Sequence, residues 1–509
     1  MKKIYLKIIS LTCFLLNVAI PLFSQIINVR QYGARGNGTT DDTRAIQAAI
    51  NAASISNGAT VYFPSGIYLI GSYFKKANYL ENFCLNISSG ITFKGEGSSS
   101  VIKLNNHLFD KTDTMANAHI FFGIGIKDVQ FMKITIDMNG GMNLVPKNIL
   151  KNNMALFIDG GRNIYINDIT IKNCSGSNMI AIKGRGSNLQ IKNSFFYNGG
   201  NYVGIPEPNT NQIDFSFIYS EWDSTSIINN HIEQENVDIA LENYTGGIEL
   251  HGSFSLAKGN TIIGCNPGLY ISSSWYPVTK TSITGNKFYQ CVKGISFWIH
   301  YPLDQISISK NIITITESLS NKFYNITGIE VPNGNALEYN FKLANAAKIT
   351  RLSIKNNTIS SLLKDSSKIK SAGMVLHSIE SSIIENNTIK AMNYGGIVFQ
   401  GSKWGMKSVF VNNNNFIDFK INNDKNAVAG YIIITDTYST SFKNTVGFKD
   451  IIFIKNNFIR ALDFRKQKNP NEFLGAFIAL PSSSLSEVHF QKNHFSDITE
   501  KIKFIKTDN

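Results

Sequence analysis

The chain has little proline, little cysteine and little charge. Eleven prolines in 509 residues leave no room for Pro-rich linkers. Charged residues make up 17% of the chain and apolar residues 43%, which excludes a disordered protein. The five cysteines form no CxxC pair and show no metal-finger spacing, so a zinc module is not expected. After the N-terminal residues no run of 18 or more apolar residues occurs, so the mature chain is expected to hold no integral membrane segment. What is abundant is aromatic and small: 34 Phe, 20 Tyr and 39 Gly. At about 150 residues per domain the length would allow three domains. The composition instead suits one large, well-buried β structure.

Lys2, Lys3 and Lys7 precede a mostly apolar run from Ile8 to Phe23, followed by Ser24-Gln25. This pattern predicts a secretory signal peptide over residues 1–25 and a secreted or periplasmic protein. Its removal takes away three lysines and no acid, lowering the formal charge from +13 to +10. Cys84, Cys174, Cys265 and Cys291 then remain. They are expected as small core residues, although that compartment would permit disulfides.

A short phrase organises the chain: an apolar residue, two polar residues ending in Asn, one polar residue, then Ile or Phe. It recurs at Asn230, Asn260, Asn286, Asn311, Asn357, Asn387, Asn414, Asn457 and Asn493. A second phrase, Gly followed by alternating apolar and polar residues, precedes most copies, as in Gly247-Ile248-Glu249-Leu250-His251. Period-2 alternation punctuated by Gly and Asn reads as short strands joined by sharp bends. A unit of roughly 25 residues without a helix cannot bury its own apolar face, but stacked on its copies it buries a continuous core. The expected fold is therefore all-β, a single-stranded parallel β-helix. Excess spacing near residues 312–345 and 415–450 predicts loops inserted into particular coils. The segment Gly199–Thr210 interrupts the repeat in the same way. Near the N-terminus, Thr40-Asp41-Asp42 precedes Ile46, Ala49, Ile50 and Ala53, which predicts an amphipathic α-helix capping the open end of the solenoid. The expected organisation is one domain over 26–509, with cap and first coil in 26–70.

Three stretches carry a resemblance. They are Asn28-Val29-Arg30-Gln31-Tyr32-Gly33-Ala34-Arg35-Gly36-Asn37-Gly38, Asp41-Asp42-Thr43-Arg44-Ala45-Ile46-Gln47 and Val61-Tyr62-Phe63-Pro64-Ser65-Gly66-Ile67-Tyr68. Together they resemble the opening of the pectate-lyase-like superfamily, which implies a right-handed parallel β-helix. The superfamily holds lyases, glycoside hydrolases and phage tailspikes, so the resemblance assigns a fold and no single chemistry. The GHG and RIK tripeptides of polygalacturonases and the RxPxxR of pectate lyases do not occur, and neither catalytic set carries over.

Aligning coils by their Asn turns predicts two ladders on the outside of one sheet. The first is Lys183, Tyr219, Glu249, Tyr270 and Ser296. The second is Arg185, Glu221, His251, Ser272 and Trp298, with His300 just beyond. Both are expected to face solvent. Glu221 and Glu249 should then lie about 8 Å apart, within the range of an inverting glycosidase pair. The catalytic candidates are therefore Glu221, Glu249, His251 and Tyr219. Lys183, Arg185, Asp214, Tyr270, Trp298 and His300 are substrate-binding candidates, the cations for an acidic group and the aromatics for sugar rings. No metal or cofactor is required, except that Ca²⁺ is an option for a lyase.

The positive charge favours an anionic partner. Lysines are dispersed and no nucleic-acid motif occurs, so an anionic polysaccharide is expected rather than nucleic acid. The first functional expectation is a glycoside hydrolase using Glu221 and Glu249. A polysaccharide lyase is the alternative, and a non-catalytic glycan-binding solenoid the third. Oligomeric state is not legible.

Overall fold

The computed structural model describes residues 25–506, apart from 57, 76–81, 109–116, 144–151, 175–177, 200–214, 236–244, 317–324, 333–346, 365–368, 402–404, 420–428, 436–447, 462–473, 481–487 and 497–503. The expected signal peptide, apart from Gln25, lies outside the described residues, as do Asp214 and most of the three expected loops.

The described strands form one paired sheet that winds into coils. Each strand pairs in parallel with its counterpart one coil on, for example Ile248 with Leu269 and Leu269 with Ile295. Among the described residues, the antiparallel exception is Phe74–Lys75 against Asn82–Phe83. This is the parallel β-helix that the repeat predicts. One core runs through it from Ile27 to Val488. Helix α1 (Thr43–Ile55) buries Thr43, Ile46, Ala49, Ile50 and Ala53, the predicted stripe, and its apolar members join that core. The acids before the helix divide the capping work. Asp41, not Asp42, accepts the Thr43 N–H at 2.9 Å. Asp42 instead accepts from the Arg35 and Gly36 N–H groups at 2.7 and 2.9 Å, tying the preceding loop to the helix start.

The Asn phrase has two jobs, split between neighbouring residues. The first residue of each pair takes the left-handed conformation that makes the bend: Asn229, Gly259, Gly285, Lys310, Asn356, Asn386, Asn413, Lys455 and Lys492 all have φ between 51° and 67°. The second turns inward and joins a buried amide ladder. Asn230 N and Nδ2 both donate to Asn260 Oδ1, at 2.9 and 3.0 Å, and Asn260 repeats this to Asn286. The ladder continues through Asn311, Asn357, Asn387, Asn414, Asn456 and Asn493. The expected member Asn457 is corrected to Asn456. The run Asn456-Asn457 allows either reading, but Asn457 pairs with Asn415 and lies one step beyond the bend.

The strands that carry the site are designated β1 (Ile180–Lys192), β2 (Phe215–Ser220), β3 (Thr245–Leu250), β4 (Leu269–Ser272), β5 (Lys293–Trp298) and β6 (Asn325–Val331). Gly247, Gly268, Gly294 and Gly328 stack on one row of β3 to β6. A Cβ on Gly294 would lie 2.7 Å from the Gly328 carbonyl oxygen and 2.8 Å from Ile313 Cγ2. This row therefore has no room for a side chain, which explains the Gly that opens the second phrase.

The four remaining cysteines are free thiols in the core, as expected for small apolar residues. Burial raises the Cys291 thiol to about 12.

Candidate functional site

Register in the sheet bears out most of the predicted ladders. Tyr219 pairs with Glu249, Glu249 with Tyr270, and Tyr270 with Ser296. Ser272 pairs with Trp298. The residues between, Ser220, Leu250, Ile271 and Phe297, face the interior.

Two parts of the prediction are corrected. Lys183 does not stand beside Tyr219; Ala181 does. Ile182 pairs with Ser220 whereas Gln190 pairs with Ser226. The segment between thus holds two more residues on β1 than on its neighbour, so counting back from the Asn turn slips by two. The same stretch breaks register with the preceding strand between Lys183 and Gly186, the mark of a bulge. Lys183 therefore belongs to the row of Glu221. Arg185 sits exposed within the bulge, one row further on.

The second correction concerns exposure. The ladders point away from the core, yet Glu249 is only 2% exposed, Tyr219 7% and His251 9%. They are covered because they bond to one another. His251 Nε2 lies 2.6 Å from Glu249 Oε1, and Ser216 Oγ donates to Glu249 Oε2 at 2.8 Å. The Tyr219 hydroxyl donates to Glu221 Oε1 at 2.7 Å, and the Gly184 N–H donates to Glu221 Oε2 at 2.7 Å. The Tyr219 and His251 rings are 4.8 Å apart. Lys183 Nζ lies 5.5 Å from the Tyr219 ring centroid. Trp275, in the turn after β4, is a lesser influence on the Tyr219 phenol.

The electrostatic consequence is clearest at Tyr219. Burial first, then the Glu221 and Glu249 carboxylates, push its phenol well above the usual value of 10. The hydroxyl is thus held protonated, as a donor. For His251, the short contact from Nε2 to a buried carboxylate assigns the tautomer with the proton on Nε2. Its Nδ1 is buried and has no hydrogen-bond partner. Each carboxylate already accepts two bonds, so both Glu side chains act here as holders: Glu249 orients the imidazole and Glu221 orients the phenol.

The remaining candidates scatter around this centre. Tyr270 lies beside Glu249. Trp298 is 40% exposed, and its ring is 5.5 Å from His300, which is buried. Further along the same row, Ser296 donates to Glu330, which Lys293 also pairs. Among the described residues no group of three or more His, Cys, Asp or Glu side chains converges as a metal site. Sequence reading missed Ser216, Gly184 and Trp275. The first two left no signal, since a Ser and a backbone N–H in a strand look ordinary. Trp275 did: two adjacent aromatics, Trp275-Tyr276, in the turn Ser272–Pro277.

Comparisons with known proteins agree with this architecture. The family described as "Rhamnogalacturonase A/epimerase, pectate lyase-like" matches residues 26–221. The plasmin and fibronectin-binding protein A of Streptococcus pneumoniae is 29% identical over 54% of this chain and 40% of its own. A mannuronan C5-epimerase of Azotobacter vinelandii is 31% identical over 27% of this chain and 9% of its own, and alginate lyase 7 of the same organism 39% identical over 22% and 12%. The chain thus spans less than half the length of each of these relatives. The tailspike protein of E. coli bacteriophage HK620, solved with a pentasaccharide, superimposes with a TM-score of 0.59 at 16% identity, over 92% of this chain and 78% of that one. With the repeat and the register, these matches support the parallel β-helix fold, and residues 26–221 are similar to the pectate-lyase-like family.

Proposed function

We propose that the chain is a carbohydrate-active protein that acts on an anionic polysaccharide by β-elimination at a uronyl residue. The observation that carries this is the Tyr219–His251 couple: a phenol held protonated against an imidazole whose Nδ1 has no partner. In the proposed step, substrate binding uncovers His251 Nδ1, which is buried in the free chain, and Nδ1 takes the proton from C5, beside the uronate carboxylate. The C5–H electron pair forms the C4=C5 double bond, and the C4–O bond breaks. The Tyr219 hydroxyl protonates the departing glycosidic oxygen. Lys183 neutralises the carboxylate as charge builds there. Both rings rise from one sheet face and approach the sugar from one side, which favours elimination over inversion at C5. The relatives named for mannuronan epimerisation and alginate lysis support a uronate substrate.

The hydrolase reading keeps one observation in its favour. Glu221 and Glu249 stand on adjacent strands two residues apart, about 8 Å between Cα atoms. Against it, Glu249 is only 2% exposed and is engaged by Ser216 and His251, and Glu221 is engaged by Tyr219 and Gly184.

The test is incubation with mannuronan, polygalacturonate and neutral polymers in deuterated buffer. Unsaturated ends are expected from a polyuronate, and Tyr219→Phe and His251→Gln should each lower kcat by about 10²–10⁴-fold. Deuterium entering the polymer at C5 without scission would reassign the same couple to epimerisation. New reducing ends without unsaturation, lost in Glu221→Gln and Glu249→Gln, would overturn the proposal in favour of hydrolysis. Binding without any turnover would leave a glycan-binding solenoid.

A further inference from the structure

The bulge on β1 carries an arginine at the edge of the site. Lys183 pairs with Asp159 and Gly186 with Gly161 on the preceding strand, Asn152–Asn167. Between those pairs β1 has Gly184 and Arg185, where the preceding strand has Gly160 alone. Two residues opposite one push a side chain out of the ladder, and bulges beside functional sites re-aim side chains in this way.

This bulge is built rather than loose. Gly184 has φ 66° and gives its N–H to Glu221 Oε2 at 2.7 Å. A Cβ there would lie 2.3 Å from Asp159 Oδ1, so the position takes glycine. The Lys183 carbonyl accepts from the indole of the fully buried Trp222 at 3.0 Å. Gly186 packs against the same indole, where a Cβ would come within 2.2 Å of Cε2. Both flanks of Arg185 are thus held through the backbone, while Arg185 itself is exposed. The Glu221 carboxylate that anchors Gly184 also accepts the Tyr219 hydroxyl at 2.7 Å. One side chain therefore sets both the phenol and the base of Arg185.

Elsewhere on the solenoid, outward cations are neutralised by a neighbouring coil: Lys348 by Glu380, Lys355 by Glu385 and Arg351 by Asp304. Among the described residues no carboxylate pairs with Arg185. A guanidinium with a fixed base, open to solvent and without a protein acid, has its fork available to a carboxylate from outside the chain.

We propose that Arg185 is a specificity-determining residue of this site, clamping the carboxylate of the uronyl residue next to the one at Lys183. A polyuronate carries one carboxylate per sugar. Lys183 and Arg185 emerge two residues apart, about 6.6 Å along an extended strand, so adjacent sugars meet separate cations. The proposal rests on the reading of an anionic polysaccharide as substrate; it does not require the elimination step.

Binding is measured by calorimetry with mannuronan and polygalacturonate oligosaccharides on the full chain carrying Tyr219→Phe, so that no turnover intervenes. Arg185→Ala in that background should weaken binding about tenfold or more. Lys258→Ala removes the same charge from an exposed position on another strand, Leu256–Lys258, and should change affinity less than about threefold. In the otherwise native chain, Arg185→Ala should raise KM more than it lowers kcat. Equal losses in Arg185→Ala and Lys258→Ala, unchanged binding in Arg185→Ala, or no acidic oligosaccharide bound by the parent overturns the clamp. A fall in kcat with native KM also overturns it. Native affinity in Arg185→Ala, with unsaturated ends still formed by the parent, removes the clamp and leaves the elimination standing. Binding weakened in Arg185→Ala, with no polymer turned over by the parent, means that the clamp stands and the elimination does not. The side chain is exposed, so the melting temperature of Arg185→Ala should match the parent's.

Discussion

At the residue scale, the partner decides what a buried histidine does. His251 and His377 follow strands of the same stack and are both nearly covered. His251 has a buried carboxylate 2.6 Å from Nε2 and is held by it in one orientation. His377 has no such contact strong enough to offset burial, and its value falls from 6.5 to about 4. The sign follows from linkage: between pH 6.5 and 4 the unfolded chain takes up a proton that the folded one refuses. Stability from this group is complete above pH 6.5 and is lost as pH falls through 4, up to roughly 3 kcal/mol. His377→Gln should flatten the acid limb of melting temperature against pH. An unchanged slope between pH 6.5 and 4 would refute this. His251 was a candidate from its place in the outward ladder beside Glu221 and Glu249, but its burial was not expected, and His377 drew no reading.

At the scale of one coil, the bend and the ladder are separate devices. Asn414 is fully buried, accepts from Asn387 N and Nδ2, both at 2.9 Å, and donates Nδ2 to Ile384 O. Asn413 next to it has φ 54° and lies outside the core. Asn414→Ala leaves two donors of Asn387 without their acceptor in a buried place, at a cost of about 1–3 kcal/mol or more. Asn413→Gly keeps the left-handed bend and should cost only a few tenths. Denaturant unfolding of the two variants is the measurement, and equal losses would show that the ladder carries no special weight. The repeat phrase was fully visible in the sequence. Which of two adjacent asparagines turns inward was not, as Asn456 and Asn457 illustrate, because that choice depends on the bend before it. The two-residue slip at Lys183 has a similar origin, since a bulge adds residues without changing the alternation that is counted.

At the scale of the whole molecule, the formal charge is +13 and the lysines are dispersed along the sequence. Affinity for a polyuronate should therefore fall as salt shortens the screening length from about 10 Å at 0.1 M to about 3 Å at 1 M. Calorimetry with mannuronan across that range is the check, and salt-indifferent affinity would remove charge from the argument. Composition, the Gly and Asn phrases and the N-terminal motif determined the coil, its stacking, the cap helix and the row on which Tyr219, Glu249, Tyr270 and Ser296 meet. They do so because period-2 alternation leaves only one face of each strand able to enter the core. The tertiary structure alone decided that the outward rows are covered and that Glu249 holds His251 while Glu221 holds Tyr219. The pairs lie two positions apart in sequence, yet what covers them comes from other coils, as Ser216 does for Glu249, and a one-dimensional pattern has no term for what lies above a sheet.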